Sequence, residues 1–412
     1  MSSFTIPLSG LAATSESLNA IANNLANLNT DGYKDETLDF ASVFNQIQGT
    51  SGNGDPIQVG NGVQVVGTTS NFSNGNLGST GVDSNMALQG NGFFVVKDSN
   101  GVDYTRDGDF TVNSQGQLCT QGGQLVLGYP AVNGVVQTGA ALAPITVDQA
   151  NNIPAVATTS FQMTTNLDAT ATVGTTYSSP ITVYDSLGQS HDLTINYTNT
   201  AANTWTYNIT LPAADTGGTG NPTTVATGTL DFNSSGVLTS PSGTIPGISI
   251  SGLADGAAKM NLTWDLNGSG GTAAITQQAA TSATSETTQN GYTAGTLTGY
   301  TVLSDGTVQG QFSNEQTLSL GQVAVASFAN NQGLTQTADN NYQASAASGA
   351  AVVGVAGAGG NGTITDGSVE ESNVSLSSEF ANMIVAQQGY EANAKVLTTL
   401  DQVYQATLQV IS

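Results

Sequence analysis

Basic residues are what this chain most lacks. Five lysines and arginines stand against 29 aspartates and glutamates in 412 residues, a formal charge of −24. Phosphate recognition needs clustered Lys and Arg, so nucleic acid is excluded as a partner. The same sign disfavours an anionic membrane surface. Charge of either sign is scarce, 8% of residues against about 25% in ordinary domains. One cysteine, Cys119, allows neither an internal disulfide nor a multi-cysteine metal site. No run of about 18 apolar residues exists, which argues against membrane insertion as a spanning helix. The opening MSSFTIPLSG has neither the basic nor the apolar region of a secretory leader. A working place outside the cell therefore implies an exit route without leader cleavage.

What fills the space is Gly, Ser, Thr, Asn, Gln and Ala, with 50 glycines. Such a surface is polar without being charged, a style commoner outside cells than in the cytosol. At this length two to four domains with sizeable cores are possible. The two ends read as helix. Leu8, Leu11, Leu18, Ala22 and Leu25 alternate three and four apart, with Ser15 the weak member. The pattern predicts a helix ending between Asn29 and Gly32, where glycine suits a left-handed cap. In NVSLSSEFANMIVAQQGYEANAKVLTTLDQVYQATLQVIS a four–three alternation runs through Leu376, Phe380, Met383, Gln387, Tyr390, Ala394, Leu397, Asp401, Tyr404, Leu408 and Ile411. A repeat of 3.5 sustained this long favours a coiled coil, reaching roughly 50 Å.

The middle reads as strand. GFFVVKDSNGVDYTRDGDFTVNSQGQL offers strand, turn, strand and turn in hairpin style. In PITVYDSLGQSHDLTINYTNTAANTWTYNIT three strands are legible from period-two residues: Ile181 and Val183, then Leu193, Ile195 and Tyr197, then Trp205, Tyr207 and Ile209. GQVAVASFANNQGLTQTADNNYQAS is another such run. The low-complexity pieces Gly49–Gly62, Asp215–Asn221, Gly268–Thr288 and Gly354–Gly362 read as loops or linkers. No fixed-period repeat is present. The fold class expected is multidomain α+β: terminal helices pairing as a coiled coil, with nested, mainly antiparallel β domains between them.

Catalytic chemistry finds no footing. The single histidine, His191, lies between a turn and a strand without a partner nucleophile and reads as a solvated strand residue. Cys119 has no basic neighbour to activate it and reads as a packed, inert thiol. DYTRDGD at Asp103–Asp109 resembles the start of a calcium loop, but Ser114 stands where the bidentate acid belongs. GAGGNG at Gly357–Gly362 lacks the preceding strand and following helix of a dinucleotide site. No cofactor, metal or enzymatic activity is expected.

Longer motifs are more specific. LSGLAATSESLNAIANNLANLNTDGYK is similar to the N-terminal motif of bacterial flagellar axial proteins, the rod, hook and hook-associated subunits. SNVSLSSEFANMIVAQQGYEANAKVLTTLDQVYQ resembles their C-terminal partner motif. MALQGNGFFVV, YTRDGDFTVNSQGQL and LGYP resemble the β domain shared by hook and distal-rod subunits, and the Ile181–Ile209 stretch resembles the domain inserted in hook subunits. The likeness is weakest across Leu211–Ala280. The resemblance implies a self-assembling structural subunit of a curved, hollow tube that carries torque as a universal joint. Residues 1–33 and 371–412 would form a helical inner tube, 34–81 and 361–370 a linker, 82–147 with 288–360 a middle β domain, and 148–287 an outer one. It further implies export by the flagellar type III apparatus, growth under a hook cap scaffold, and contacts with the distal rod protein and the hook–filament junction protein. Another axial subunit, distal rod or hook-associated, is the nearest alternative. A secreted β-rich adhesin is the alternative from a different class.

The amides between Glu16 and Asp31 then have a use. In a helical array each subunit meets copies of itself, so a contact charge soon faces its own sign, whereas Asn and Gln both donate and accept. The surfaces expected at subunit contacts are Leu11, Leu18, Ile21, Asn23, Asn24, Leu25, Asn27 and Leu28 at one end. At the other they are Leu376, Phe380, Met383, Ile384, Gln387, Tyr390, Ala394, Leu397, Tyr404, Leu408 and Ile411, with Asn382, Gln388 and Asn393 as further amides. One such stripe alone buries too little to offset its ordering entropy, so both ends of a free subunit are expected to be disordered.

Overall fold

The computed structural model describes residues 4–44, 46–51, 56–148, 152–268 and 273–411. They fall into two compact units, Met1–Asp148 with Gly299–Gln311 and Thr317–Ser412, and Gln149–Thr298 with Phe312–Gln316.

The first unit holds both terminal helices. Helix α1 spans Thr5–Ala26 and helix α2 spans Leu376–Ile411. Helix α1 stops short of the expected Asn29–Gly32 boundary. Asn27 caps it through its backbone N–H, which donates to the Asn23 and Asn24 carbonyls, while the Leu28 N–H donates to the Leu25 carbonyl. Gly32 does adopt the left-handed conformation, φ +69°. It is needed there because a Cβ would stand 2.5 Å from the Asp107 backbone nitrogen.

After the turn the strand Glu36–Ser42 pairs antiparallel with Val63–Ser70. The segment Gly49–Gly62, expected as loop, carries parts of a second pair, Gln46–Thr50 with Pro56–Val59; its residues 52–55 lie outside the described residues.

The β body of this unit is built on an uninterrupted apolar strand, Phe93–Lys97, which pairs with Val102–Thr105, Leu125–Val132 and Thr317–Ser327. Successive side chains point to opposite faces. Phe94 and Val96 therefore enter one core with Met86, Leu88 and Val323, while Phe93 and Val95 enter another with Tyr104, Leu127 and Tyr342. That is why the run FFVV does not alternate: both of its faces are covered. The two hairpins expected in this stretch are present, the second joining Phe110–Val112 to Leu118–Thr120. In the first turn Asp98 Oδ1 accepts from the backbone N–H groups of Asn100 and Gly101. The C-terminal strands Thr363–Asp366 and Ser368–Glu370 return to pair with Met86–Gln89 and Leu77–Ser79.

The second unit has two sheets around one core. Thr176–Tyr184, Ser190–Ala201, Thr204–Leu211, Thr223–Phe232 and Leu238–Ser240 form an antiparallel meander in chain order. The opposing sheet centres on Ser160–Asp168, which pairs parallel with Met260–Asp265 and Ile275–Gln278 and antiparallel with Ala283–Gln289. The period-two residues Ile181, Val183, Leu193, Ile195, Tyr197, Trp205, Tyr207 and Ile209 all lie in the shared core, with Phe161 and Trp264 contributed by the other sheet.

Three readings need correction here. Gly268–Thr288 is not a loop, for it contains the Ile275–Gln278 strand and most of Ala283–Gln289; its residues 269–272 lie outside the described residues. The Ala283–Gln289 strand consists largely of Thr, Ser and Gln and leaves most of its side chains exposed, so it carries no apolar alternation to read. Asp215–Asn221 begins within a 3₁₀ segment, Ala213–Thr216. Gly354–Gly362 begins within the Val352–Val355 strand, which supplies the preceding strand the sequence reading missed, whereas GAGGNG itself is turn.

Candidate assembly surface and its anchor

Helices α1 and α2 run antiparallel, side by side. Phe4 meets Tyr404 edge to face at 6.3 Å between ring centroids. Asn24 lies 3.4 Å from Glu379 at the other end of the pair. Between these points the contact is made by slim residues. A Cβ added to Gly10 would stand 2.8 Å from the Asn393 amide, and one on Gly389 would stand 3.3 Å from Thr14 Cγ2. Ala13, Ile21 and Ala386 are buried along this seam.

The seam on α2 thus runs through Glu379, Ala386, Gly389 and Asn393, and of the bulky stripe read from the sequence Tyr404 touches α1, through Phe4, while the greater part is exposed. Leu376, Phe380, Ile384, Tyr390, Tyr404 and Leu408 are all exposed, Phe380 at 51% and Tyr404 at 57%. Met383, Ala394 and Leu397 are half-buried, and Gln387 is exposed. Ile411 continues the helix, but its side chain lies outside what is described. Toward the N-terminus Leu11, Leu18, Leu25 and Leu28 are half-buried, and of the bulky apolar residues expected at contacts Ile21 alone is buried. Both ends are helical in this single chain, not the disordered tails that stripe burial alone implied, because the small-residue seam gives each helix a neighbour. A cleft of about 520 Å³ remains between the helices and the Glu36–Ser42 and Val63–Ser70 strands, lined by Gly10, Ala13, Ala20, Phe40, Val385 and Ala386 among others.

The amides divide in use. Asn24 is buried and wholly engaged within the chain: its Nδ2 donates to Asp35 Oδ1 (2.6 Å) and the Glu36 carbonyl (2.8 Å). Its Oδ1 accepts from the Tyr33 hydroxyl and the Glu36 N–H, both at 3.1 Å. This corrects its assignment to a subunit contact, since no group of it is left to offer. Asn23 donates to the Tyr33 hydroxyl and Asn27 to Asn23, with both chains near the surface. Asn382 donates to Glu379, and Asn393 to the Gly389 carbonyl.

A charge cluster that sequence reading missed fixes the helices to the β body. Glu370 is wholly buried and accepts from Lys34 Nζ at 2.6 Å, from Arg106 Nη1 at 3.2 Å and from the Gly75 N–H at 2.8 Å. Lys34 also donates to the Ser73 carbonyl, and Arg106 to the Leu88 and Gly90 carbonyls. The Arg106 guanidinium lies over the Phe93 ring at 5.4 Å. The Glu370 carbonyl closes the circuit by accepting from Gly32 N–H at 2.6 Å. Burial pulls the Lys34 ammonium below its ordinary pKa, with Glu370 opposing.

The signal was present in composition. With five basic residues in the chain, two set among aromatics and glycines in GYK and DYTRDGD are more than solvated charges. The acids of DYTRDGD are engaged likewise. Asp103 accepts from Gln124 and Gln343, and Asp107 from the Asp109 N–H. Burial pushes Asp107 up to about 6, with Asp109 and Asp31 adding to the effect.

Cys119 is buried, and burial raises its thiol pKa. His191 is not solvated. It is buried between Asp185 and Asp215, because its strand turns this face toward the 3₁₀ segment of the same unit.

Among the described residues no helix is long and apolar enough to cross a membrane. A pair of terminal helices with an exposed apolar stripe, anchored through a buried charge cluster to a β body, is the architecture of a structural subunit. Four family profiles match: Flagella basal body rod protein over residues 6–34, Flagellar hook protein FlgE/F/G D1 domain over 87–176, Flagellar basal body protein FlaE D2 domain over 146–292, and Flagellar basal body rod FlgEFG protein C-terminal over 365–410. The chain is 39% identical to the flagellar hook protein FlgE of Salmonella typhimurium, with 97% of this chain and 98% of that protein covered. It is 36% identical to FlgE of Escherichia coli at the same coverage, and 30% identical to FlgE of Treponema pallidum with 98% of both covered. The crystal structure of Helicobacter pylori flagellar hook protein FlgE2 shares the fold, TM-score 0.55 at 15% identity, covering 71% of this chain and all of that one. The chain belongs to the flagellar hook protein FlgE family. It is a structural protein of the hook and basal body.

Proposed function

We propose that the chain is the repeating subunit of the flagellar hook, polymerising into a curved hollow tube that passes torque from rod to filament. The observation that carries this is the stripe Leu376, Phe380, Ile384, Tyr390 and Leu408, left exposed on a helix already supplied with a partner. Fully covering side chains of this size contributes about 1.5–3 kcal/mol each, enough in sum to drive association. In this reading the stripe makes coiled-coil contacts between subunits rather than within one. Asn23, Asn27, Gln387 and Gln388 supply exchangeable hydrogen bonds on the order of 1 kcal/mol each at the same surface. Residues 1–33 and 371–412 line the channel, 34–81 and 361–370 link, 82–147 with 288–360 form the middle layer, and 148–287 the outer one.

The cap scaffold, the distal rod protein, the hook–filament junction protein and the type III export apparatus are the further partners of this reading, with export proceeding without leader cleavage. Electron microscopy of cells lacking the gene tests it. Basal bodies with a rod and no hook are expected, restored by the wild-type chain and not by Phe380→Asp with Ile384→Asp. Normal hooks in the deletion strain would overturn the reading.

A further inference from the structure

The chain's one histidine sits where three segments of the Gln149–Thr298 unit meet. His191 is only 4% exposed. Its Nε2 lies 3.1 Å from Asp185 Oδ2 and its Nδ1 lies 3.0 Å from Asp215 Oδ2. Asp255 Oδ2 lies 4.0 Å from Nε2, a third carboxylate beside the ring. Asp185 belongs to the turn between the Thr176–Tyr184 and Ser190–Ala201 strands and organises it by accepting from Leu187 and Gln189 N–H groups. Asp215 belongs to the Ala213–Thr216 segment, and its carbonyl accepts from Ala254 N–H. Asp255 lies one residue on, in a loop whose Ala258 N–H donates to Ser186 of the first turn. Among the described residues no lysine or arginine, Lys259 of this loop included, forms an ion pair with these three carboxylates.

A neutral imidazole has one N–H and one lone pair. With a carboxylate against each nitrogen, the neutral ring would leave one lone pair facing another. The imidazolium alone satisfies both. We propose that protonated His191 is a pH-sensitive clasp, holding the 213–217 segment and the 253–258 loop against the 185–189 turn and releasing them when rising pH removes its proton. Burial opposes the charged ring, but hydrogen bonds and charge from Asp215 and Asp185 outweigh it and raise the pKa above its ordinary value. A group raised in this way stabilises fully below the unfolded value, about 6.5, and its contribution is lost as pH rises through the folded value.

Because His191 is the only histidine, one imidazole resonance reports it in the full-length monomer. The expected titration midpoint lies above the free value of about 6.5. Amide exchange at 213–217 and 253–258, corrected for intrinsic pH dependence, should rise by about tenfold for each pH unit the midpoint is raised, once the ring is neutral. His191→Gln should exchange fast in both segments at every pH, and Asp215→Asn should lower the midpoint. The clasp is overturned by a midpoint at or below the free value, or by segment exchange equal in wild type and His191→Gln. It is equally overturned by a resonance that follows added zinc and EDTA instead of pH, which would make the cluster a cation site.

Discussion

Glu370 is a single anion answering two buried cations, and removing it leaves both without a counter-charge. Breaking a buried pair in this way costs about 3–5 kcal/mol, so Glu370→Gln should lower the unfolding free energy of the full chain in urea by that amount. Lys34→Met alone leaves the Arg106–Glu370 contact in place and should cost less. Combined with Glu370→Gln it should recover part of the loss, because residues sharing one network are not additive. Asn24→Ala strands the Glu36 N–H and the Tyr33 hydroxyl that its Oδ1 receives, a loss of about 1–3 kcal/mol; Asn23→Ala, near the surface, should stay under about 1 kcal/mol. Asp107 behaves oppositely. Its folded pKa is raised to about 6, so the folded state binds the proton more tightly and stability falls as pH rises from the ordinary carboxylate value toward 6. Asp107→Asn should therefore melt higher than wild type at neutral pH, with the difference vanishing in acid; equal melting points at neutral pH would refute this. None of these roles was visible residue by residue. An asparagine in a helix reads the same whether it meets a neighbouring subunit or its own chain, and only the Tyr33–Glu36 turn decides it.

At the scale of elements the reading went further. Helices at both ends, the hairpins after Phe93, and the three strands from Ile181 to Ile209 were legible, because period and turn residues agree there. What periodicity could not give was which face of a helix its partner takes. On α2 the bulky residues and the slim ones both recur three and four apart, a quarter-turn or so from each other, and hydrophobicity points to the wrong one for pairing with α1. The Gly10–Asn393 and Thr14–Gly389 contacts show the reason: close approach favours small side chains. Gly389→Leu should accordingly part the two helices, read as loss of helical circular dichroism in the monomer. Phe380→Asp, at an exposed position of the stripe, should leave the monomer's spectrum unchanged and abolish sedimenting polymer. Protease should trim α2 of the free chain from its bare distal half, beyond about Leu397, and spare it in the polymer. The strand Ala283–Gln289 escaped notice because backbone pairing to Ser160–Asp168 defines it, and polar side chains carry no record of that.

For the molecule as a whole, the charge of −24 keeps free chains apart and must be overcome when they are stacked. Screening shortens its reach to about 10 Å at 0.1 M salt. The lowest concentration that yields tubes should therefore fall as salt is raised, and a rise instead would argue that ionic contacts hold the tube together. The edge-to-face meeting of Phe4 with Tyr404 carries a practical corollary. The start of α1 and the distal part of α2 lie side by side there, next to the surface proposed for docking, so an affinity tag or fluorophore attached near either would crowd that surface. The tight bend joining Ser190–Ala201 to Thr204–Leu211, solvent-facing and remote from that spot along the chain, is the better address for a label meant to watch the organelle grow.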